Sequence, residues 1–354
     1  MSRLPLSRIS RFPFRLLAAV GVGGLLSVVP ASAAESDPAQ VFDAIQHQVQ
    51  AVFGKCRDAV VRIEATDQRG YLSGTGFFID PNGTLYTSYT VGGESHDIQV
   101  AFNGQHYTAQ RLVSDHRSGI SILKINAETP FLTFGDSRQL TVASPVIAIG
   151  YPMDLPLTPI FGTVGGFDLK YQGRLFATTH IRANIPAQRG EGGAPLLNAR
   201  GEVVGVLISR VESGNASFVL PIEAAEKVRR DYVRFLKVRP GWIGVRVEPR
   251  ETPVSGSTAA VEETIAGAPG EKAGLRAGDV IIQVGTHRVT CPEDVVDASF
   301  FLTAEDQTLI RVARDGSERD FSITPIDNPD LPRAPLPAFD SAGEPPTPGF
   351  KIDR

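Results

Sequence analysis

The sequence predicts a mostly β protein of two domains that follow a short N-terminal helix. The chain has 354 residues, enough for about two domains of roughly 150 residues each. Short runs rich in β-branched and aromatic residues, separated by turn signals, recur from residue 59 to 220 and again from 239 to 324. Strands do not alternate with helices, which excludes a doubly wound parallel sheet.

Residues 1–33 have the composition of a secretory signal peptide. A basic start is followed by the apolar run 16–29 and by the small residues Ala31, Ser32 and Ala33. The alternative is a retained transmembrane anchor, but a span needs about 20 apolar residues and this run is shorter. We therefore expect cleavage after Ala33 and export of a protein without a membrane span, to the periplasm if the cell is Gram-negative.

Residues 34–58 contain one predicted amphipathic helix. Asp37 followed by Pro38 is typical of a helix start, and Gly54 is typical of a helix end. Apolar residues at helical spacing form a stripe along one face: Val41, Ile45, Val49 and Val52. The stripe packs either on its own domain or on another subunit, and the sequence leaves both alternatives open.

The domain predicted for residues 59–237 consists of short strands and one closing helix. Asn103-Gly104 and Pro81-Asn82-Gly83 are typical of hairpin turns between its strands. Many short strands at this spacing indicate an all-β sandwich or a pair of barrels. A helix is predicted at 223–236, and strands are predicted at 60–64, 73–79, 84–88, 97–102, 106–113, 120–125, 142–149, 158–164, 174–179, 202–209 and 217–220.

A second domain is predicted for residues 238–327. Pro249 is expected to end its first strand, and Pro292 is expected to open a helix that runs to about residue 302. Strands are predicted at 242–248, 259–264, 280–284, 308–313 and 319–324, the last two around Asp315-Gly316. From Asn328 the composition changes to Pro, Ala and charged residues, which predicts a Pro-rich disordered tail over 328–354.

Charge and cysteine content exclude several classes of partner. The net charge of −4 gives no reason to expect nucleic acid or an anionic membrane surface. No His, Cys and Asp cluster has metal-ligand spacing, so we expect neither a metal nor another cofactor. The chain has two cysteines, Cys56 and Cys291, which are expected to be small buried apolar residues; whether they pair is left open.

Segments spread over residues 59–327 resemble the HtrA family, in which a trypsin-like double β-barrel precedes a PDZ domain. They occur in the family's order and at similar spacing. The matching segments are Ser73-Gly74-Thr75-Gly76-Phe77-Phe78-Ile79, Phe134-Gly135-Asp136-Ser137, Val146-Ile147-Ala148-Ile149-Gly150-Tyr151-Pro152, the loop at 189–198, Gly201-Glu202-Val203-Val204-Gly205-Val206 and Phe218-Val219-Leu220-Pro221. The resemblance implies the same fold for this chain.

The same resemblance identifies three positions at which the family carries its catalytic triad. Thr90 stands at the histidine, within a segment similar to L-T-N-x-H-V, and Gly119 stands at the aspartate, within one similar to D-L-A-V-L-K-I. Gly192 stands at the serine, within a loop similar to G-[ND]-S-G-G-P-L. The flanking residues match at all three positions, so the sequence predicts a protease fold without its triad.

A triad needs a nucleophile, an imidazole to take its proton and a carboxylate to orient the imidazole. Loss of the nucleophile or the base typically costs about 10⁶ in turnover. The backbone N–H groups of Gly190 and Gly192 are predicted to remain as an oxyanion loop, and Glu191 between them is expected to be a solvated side chain. A relocated triad is the alternative, and its candidates are His96, His106, His180 and the neighbours Asp115, His116 and Ser118.

The second domain keeps residues that are typical of peptide binding. Trp242-Ile243-Gly244-Val245 resembles the carboxylate-binding loop of PDZ domains, whose backbone N–H groups receive the C-terminus of a peptide. Val295 and Ser299 of the predicted helix are the candidate lining residues. The alternative is that Trp242 and Ile243 pack between domains.

The sequence therefore predicts an exported, proteolytically inactive HtrA-like protein. We expect it to bind C-terminal peptides or unfolded chains as an adaptor, a chaperone or a regulator. Family resemblance implies a homotrimer, or mixed oligomers with an active relative. Two alternatives remain: an active serine endopeptidase with a non-standard site, and a structural envelope protein.

Overall fold

The computed structural model describes residues 38–211 and 215–329. The predicted signal peptide (1–33), Asp37 and the predicted tail from residue 330 onward lie outside the described residues. Within the described segments, no helix combines the length and the apolar character that a membrane span requires.

Helix α1, Pro38–Cys56, is the predicted N-terminal helix, and it ends two residues later than Gly54, the predicted stop. Val52 and Cys56 are buried in the core of the first domain. The C-terminal half of the helix therefore packs on its own domain, whereas Ile45 remains 38% exposed.

The first half of the first domain is a seven-stranded antiparallel sheet in the order β5-β4-β1-β2-β3-β7-β6. Its elements are β1 Val60–Asp67, β2 Gly70–Phe78, β3 Thr84–Ser88, α2 Tyr89–Gly92, β4 His96–Phe102, β5 Gln105–Thr108, β6 Gln110–Asp115 and β7 Ile120–Lys124. The single strand predicted at 106–113 is wrong. It is two strands, because residues 105–108 pair with β4 whereas residues 110–115 pair with β7 at the other end of the sheet order.

The second half of the first domain is a closed barrel of six strands, in the order β10-β13-β12-β11-β8-β9. Its strands are β8 Pro145–Gly150, β9 Thr158–Tyr171, β10 Arg174–Ala183, β11 Pro195–Leu197, β12 Val203–Arg210 and β13 Ser217–Pro221, and helix α3, Ile222–Phe235, follows. Strand β11 was not predicted. Its three residues are too few to show an alternating pattern, but all of them are buried.

The second domain is a sheet in the order β15-β16-β17-β19-β20, with a separate two-stranded pair, β14 and β21. Its elements are β14 Gly241–Trp242, β15 Val245–Val254, β16 Ser257–Thr264, α4 Pro269–Lys272, β17 Val280–Val284, β18 His287–Arg288, α5 Pro292–Phe300, β19 Thr308–Arg314, β20 Ser317–Ile323 and β21 Ile326–Asp327. The core of this domain includes Ile243, Val295 and Ile310.

Two features of the strand predicted at 242–248 are corrected. The strand is interrupted at Gly244, whose φ of +69° is left-handed and favours glycine. It then continues as β15 through Pro249 to Val254. Proline is tolerated there because β15 is an edge strand of its sheet.

The two domains are joined by hydrogen bonds to acidic side chains of helices α3 and α5. Asp297 of α5 accepts hydrogen bonds from the Thr178 hydroxyl and the Thr179 N–H, both at 2.6 Å. These threonines lie in a bulge of β10, where the register against β9 shifts between Leu175 and His180. The PDZ-like sheet is therefore attached to the barrel through its long helix.

A buried ion pair lies at the same contact between the two domains. Lys227 Nζ lies 2.6 Å from the Asp231 carboxylate, and each side chain is 3% exposed. Asp231 also accepts a hydrogen bond from the Thr303 hydroxyl (2.9 Å) of the second domain. Burial lowers the pKa of Lys227, and the Asp231 carboxylate opposes that shift.

Both cysteines are free thiols. Cys56 is buried as predicted, and its thiol donates to the Gly201 carbonyl (3.4 Å). The expectation for Cys291 is wrong: it is only partly buried, and its side chain forms the N-terminal cap of α5 together with Asp294.

Candidate functional site

The glycine-rich loop between β10 and β11 is tied to Thr75 of β2. The buried Thr75 hydroxyl donates to the Gly190 carbonyl (2.7 Å), and the Thr75 N–H donates to the Gly192 carbonyl (2.9 Å). A Cβ on Gly190, whose φ is +94°, would lie 2.2 Å from the Tyr151 carbonyl oxygen. On Gly193, whose φ is +92°, it would lie 2.1 Å from the Thr75 carbonyl oxygen. The loop thus has a fixed shape that requires glycine at both positions.

Two backbone N–H groups of this loop have no partner. Within residues 38–211 and 215–329, the N–H groups of Gly190 and Gly192 donate no hydrogen bond, whereas that of Gly193 donates to the Leu207 carbonyl (2.7 Å). Pre-positioned donors of this kind stabilise a developing negative charge on an oxygen. The arrangement is what a residual oxyanion loop needs, and that assignment stays a prediction.

The three predicted triad positions lie together. Thr90 is in α2 directly after β3, and Gly119 immediately precedes β7. The Tyr89 N–H donates to the Gly119 carbonyl (2.6 Å) and so joins the two segments. A Cβ on Gly192 would lie 2.9 Å from the Ser88 hydroxyl and 3.5 Å from the Thr90 hydroxyl.

Other side chains occupy the space between these positions. The Ser88 and Thr90 hydroxyls lie 2.8 Å apart, and Ser88 is fully buried. The Ile208 side chain covers Gly119, where a Cβ would meet its Cδ1 at 3.2 Å. Within the described residues, these two hydroxyls bond to each other and not to an imidazole or a carboxylate, which are the groups that remove a proton from a nucleophilic hydroxyl.

The neighbours Asp115, His116 and Ser118 do not form a relocated triad. The Ser118 hydroxyl donates directly to the Asp115 carboxylate (2.7 Å), with no imidazole between them. The His116 ring instead faces Tyr89, with ring centroids 6.3 Å apart. Ser118 is also 1% exposed, which keeps a polypeptide from its hydroxyl.

The other histidines of the first domain, His96, His106 and His180, have no hydroxyl or thiol as a hydrogen-bond partner among the described residues. His180 is fully buried beside Phe176, and its Nδ1 lies 2.7 Å from the Thr178 carbonyl oxygen. Burial lowers the pKa of His180 to about 4, so its ring is neutral. His96 and His106 have side chains that are 61% and 60% exposed.

The expectation for Glu191 is wrong. The side chain is not solvated but 2% exposed, and its carboxylate accepts a hydrogen bond from the Gln188 N–H (2.6 Å). Burial raises the pKa of this carboxyl. The side chain turns back into its own loop because the loop is closed over it, which spacing alone does not reveal.

The predicted carboxylate loop of the second domain also has a fixed backbone. A Cβ on Gly244 would lie 2.2 Å from the Cβ of Ala268, so only glycine fits. The Ile243 carbonyl accepts a hydrogen bond from the Gly270 N–H (2.8 Å), whereas the N–H groups of Ile243 and Gly244 donate none among the described residues. Ile243 is buried in the core of its own domain, and Trp242 closes over Gly244.

The groove beside this loop is bounded by β15 and α5. Val245 opens β15, whose outer edge pairs with no strand in the described parts of the chain. Val295 is 8% exposed and packs in the domain core. The Ser299 hydroxyl donates to the Val296 carbonyl of its own helix (2.7 Å). An unpaired edge next to free N–H groups is the geometry used in β-strand addition.

Sequence reasoning missed Asp297, which lies on the same helix as Val295 and Ser299 and attaches it to the first domain. An acidic residue in a predicted helix is usually solvated, and nothing in the local pattern distinguishes this one. The bulge in β10 that supplies its donors was also invisible, because bulges depend on how two strands pair.

Comparison with known proteins agrees with this architecture. Residues 74–206 match the trypsin-like peptidase domain family, and residues 241–324 match the PDZ domain family. A probable periplasmic serine endoprotease, DegP-like, of Chlamydia trachomatis is 30% identical over 273 residues, which cover 73% of this chain and 54% of that protein. Serine protease HTRA1 of Xenopus tropicalis is 31% identical over 280 residues, 72% of this chain and 60% of that protein. The chain therefore spans between half and two thirds of these relatives.

Solved structures show the same fold. The HtrA-type protease AlgW with tripeptide has a TM-score of 0.67 and 21% identity, over 80% of this chain and 98% of that one. The serine endoprotease from Yersinia pestis has a TM-score of 0.58 and 22% identity, over 79% of this chain and 98% of that one. The mostly β fold class, with a trypsin-like domain before a PDZ domain, is confirmed.

Proposed function

Because the chain joins a trypsin-like peptidase domain to a PDZ domain, as HtrA-type structures do, we propose that it is an exported polypeptide-binding protein without protease activity. The observation that carries the proposal is the set of residues at the three adjacent positions: Thr90, Gly119 and Gly192. Together they provide one hydroxyl, no imidazole and no carboxylate.

The chemistry of peptide hydrolysis supports this proposal. Acyl transfer needs a deprotonated nucleophile, and the neighbouring Ser88 and Thr90 hydroxyls bond to each other rather than to a base. The free N–H groups of Gly190 and Gly192 can still hold a carbonyl oxygen. Such a loop binds a polypeptide carbonyl without cleaving the bond beside it.

Polypeptide binding is assigned to the second domain. The Ile243 and Gly244 N–H groups would receive a terminal carboxylate, and the unpaired edge of β15 would hold the preceding residues as an added strand. A micromolar affinity corresponds to about −8 kcal/mol, which is typical of this mode. The adaptor, chaperone and regulator roles all follow from such a groove.

A second candidate function is endopeptidase activity at a non-standard site. The names of the relatives favour it, because both are called serine proteases or endoproteases. The unpartnered donors of the glycine loop favour it as well, since an oxyanion hole with substrate binding alone leaves about 10³–10⁴ of acceleration over water.

Two assays on the full chain separate these functions. Purified protein is incubated with unfolded casein and with a fluorophosphonate probe, and we expect neither turnover nor labelling. Labelling that survives repurification favours the endopeptidase. Fluorescent peptides with a free apolar C-terminus are then compared with the same peptides amidated at the C-terminus. We expect binding of the free acids alone, and equal binding of both, or none, argues against the carboxylate loop and leaves a structural envelope role.

A further inference from the structure

A cavity lies at the seam between the two domains, away from both the glycine loop and the PDZ groove. Its volume is about 440 Å³, which is within the usual range of ligand sites of about 300–1,000 Å³. Helix α3 forms one side and the turn after α5 forms the other. The lining residues are Arg229, Arg230, Asp231, Val233, Arg234, Phe235, Thr303 and Asp306.

The surroundings of this cavity are basic although the protein is acidic. Residues 222–239 contain six Lys and Arg against three Asp and Glu, while the whole chain has a net charge of −4. Both carboxylates that line the cavity are engaged, Asp231 with Lys227 and Asp306 with Arg234. The excess charge of the lining is therefore positive.

One guanidinium in the lining has no partner. Arg229 is held by Glu226 through two hydrogen bonds of 2.8 and 2.6 Å, and Arg234 pairs with Asp306. Arg230 makes no ion pair and no side-chain hydrogen bond to any residue in 38–211 or 215–329. A free guanidinium fork matches the two oxygens of a carboxylate.

The same lining includes two apolar side chains, Val233 and Phe235. Val233, one helical turn further along α3, is 69% exposed. The Phe235 ring lies under two guanidiniums, with the Arg234 carbon 4.7 Å and the Arg239 carbon 5.0 Å from its centroid. A ligand that fits this cavity carries a negative charge directly beside an apolar group.

We propose that the cavity between α3 and the turn at 303–306 binds a carboxylate attached to an apolar group, with Arg230 as its charge partner and Val233 and Phe235 as its apolar wall. An acidic side chain followed by an aromatic one in a polypeptide has this chemistry, and so does a free aryl acid. The site is independent of the PDZ groove, because it takes an internal acidic residue and needs no chain terminus.

The test uses the full chain and a dye-labelled peptide, Gly-Gly-Asp-Phe-Gly-Gly, with its N-terminus blocked and its C-terminus amidated. The blocked ends exclude the carboxylate loop of the second domain, so the result does not depend on that proposal. Fluorescence anisotropy is measured for the wild type, Arg230→Gln and Arg319→Gln. Arg319 is an exposed arginine of β20, and its substitution by Gln removes the same charge at a position outside the cavity.

We expect the peptide to bind the wild type and the Arg319→Gln variant equally and the Arg230→Gln variant at least about tenfold more weakly. Val233→Glu, which places a carboxylate next to Arg230, is expected to abolish binding without disturbing the fold. The peptide with Asn in place of Asp is expected not to bind. If phenylacetate displaces the peptide, both ligands use the same site. If phenylacetate binds and the peptide does not, the site is assigned to a free acid. No binding of either probe at millimolar concentration, or equal loss in both arginine variants, overturns the proposal.

Discussion

Substitution of Thr90→His, Gly119→Asp and Gly192→Ser in one chain places an imidazole, a carboxylate and a hydroxyl at three positions that lie together. The backbone at Gly119 has a φ of +78°, which costs about 1–2 kcal/mol for a residue with a Cβ, and less for Asp than for most residues. The three atoms nearest to the Cβ of the new Asp would all belong to the Ile208 side chain, the first at 3.2 Å. A side-chain contact of this kind can relax.

The serine at position 192 would meet the Ser88 hydroxyl, 2.9 Å from its Cβ. The same variant removes Thr90, the present partner of Ser88, so the Ser88 hydroxyl is free to rotate away. The backbone cost at position 119, about 1–2 kcal/mol, is below the usual stability of about 5–15 kcal/mol. We therefore expect a folded variant that is labelled by fluorophosphonate and hydrolyses casein at least about 10²-fold above the assay background, which is all that we expect of the parent.

Circular dichroism and thermal unfolding check that the variant is folded. Gly173→Asp is the matched control: Gly173 has a φ of +80° and nothing within 4 Å of a Cβ, so it measures the backbone cost alone. The assignment of the three positions would be contradicted by a triple variant that is folded, loses no more stability than Gly173→Asp does, and still is not labelled. Labelling of the parent would contradict the proposed loss of activity.

Three further perturbations test the electrostatics. Burial lowers the pKa of His180 to about 4, so the folded state keeps the ring neutral, whereas the unfolded chain takes up a proton below about pH 6.5. Stability should therefore decrease as the pH falls from about 6.5 to about 4, by about 2 kcal/mol at pH 5. His180→Asn should flatten this dependence of thermal unfolding on pH. Burial raises the pKa of Glu191, so the folded protein loses stability as the pH rises through that pKa and the carboxyl becomes charged. Glu191→Gln should therefore have a higher Tm than the wild type at pH 8 and no such advantage at pH 4. Lys227→Met leaves the buried Asp231 carboxylate without its cation and should cost about 3 kcal/mol in urea unfolding, most of which Asp231→Asn in the same chain should recover.

The positions of most strands and of two tight turns could be predicted because they follow from local pattern, and the glycine loop could be predicted from its resemblance to a family motif. Asn103-Gly104 and Asp315-Gly316 adopt left-handed φ at both residues and form the expected tight turns, between β4 and β5 and between β19 and β20. The motif has glycine at position 190, and the structure explains why: the Tyr151 carbonyl oxygen lies too close for a residue with a Cβ.

What could not be predicted depends on residues that meet from distant parts of the chain. Glu191 is buried because its own loop folds over it. Asp297 joins the domains because it accepts hydrogen bonds from Thr178 and Thr179, where the register of β10 against β9 is irregular. Arg230, unlike Arg229 and Arg234 of α3, has no charged partner in the part of the chain that the structure describes, and a run of charges does not show which of its members are paired.

The pairing of β14 with β21 sets the smallest piece of this protein that can be tested for peptide binding. Gly241 and Trp242 pair with Asp327 and Ile326, and Arg239 holds the Asp327 carboxylate through two hydrogen bonds of 3.0 and 2.6 Å. A fragment cut at residue 324, where the PDZ family match ends, would release the strand that leads into Ile243 and Gly244. Screening such a fragment would give a false negative, whereas residues 239–329 retain the anchor.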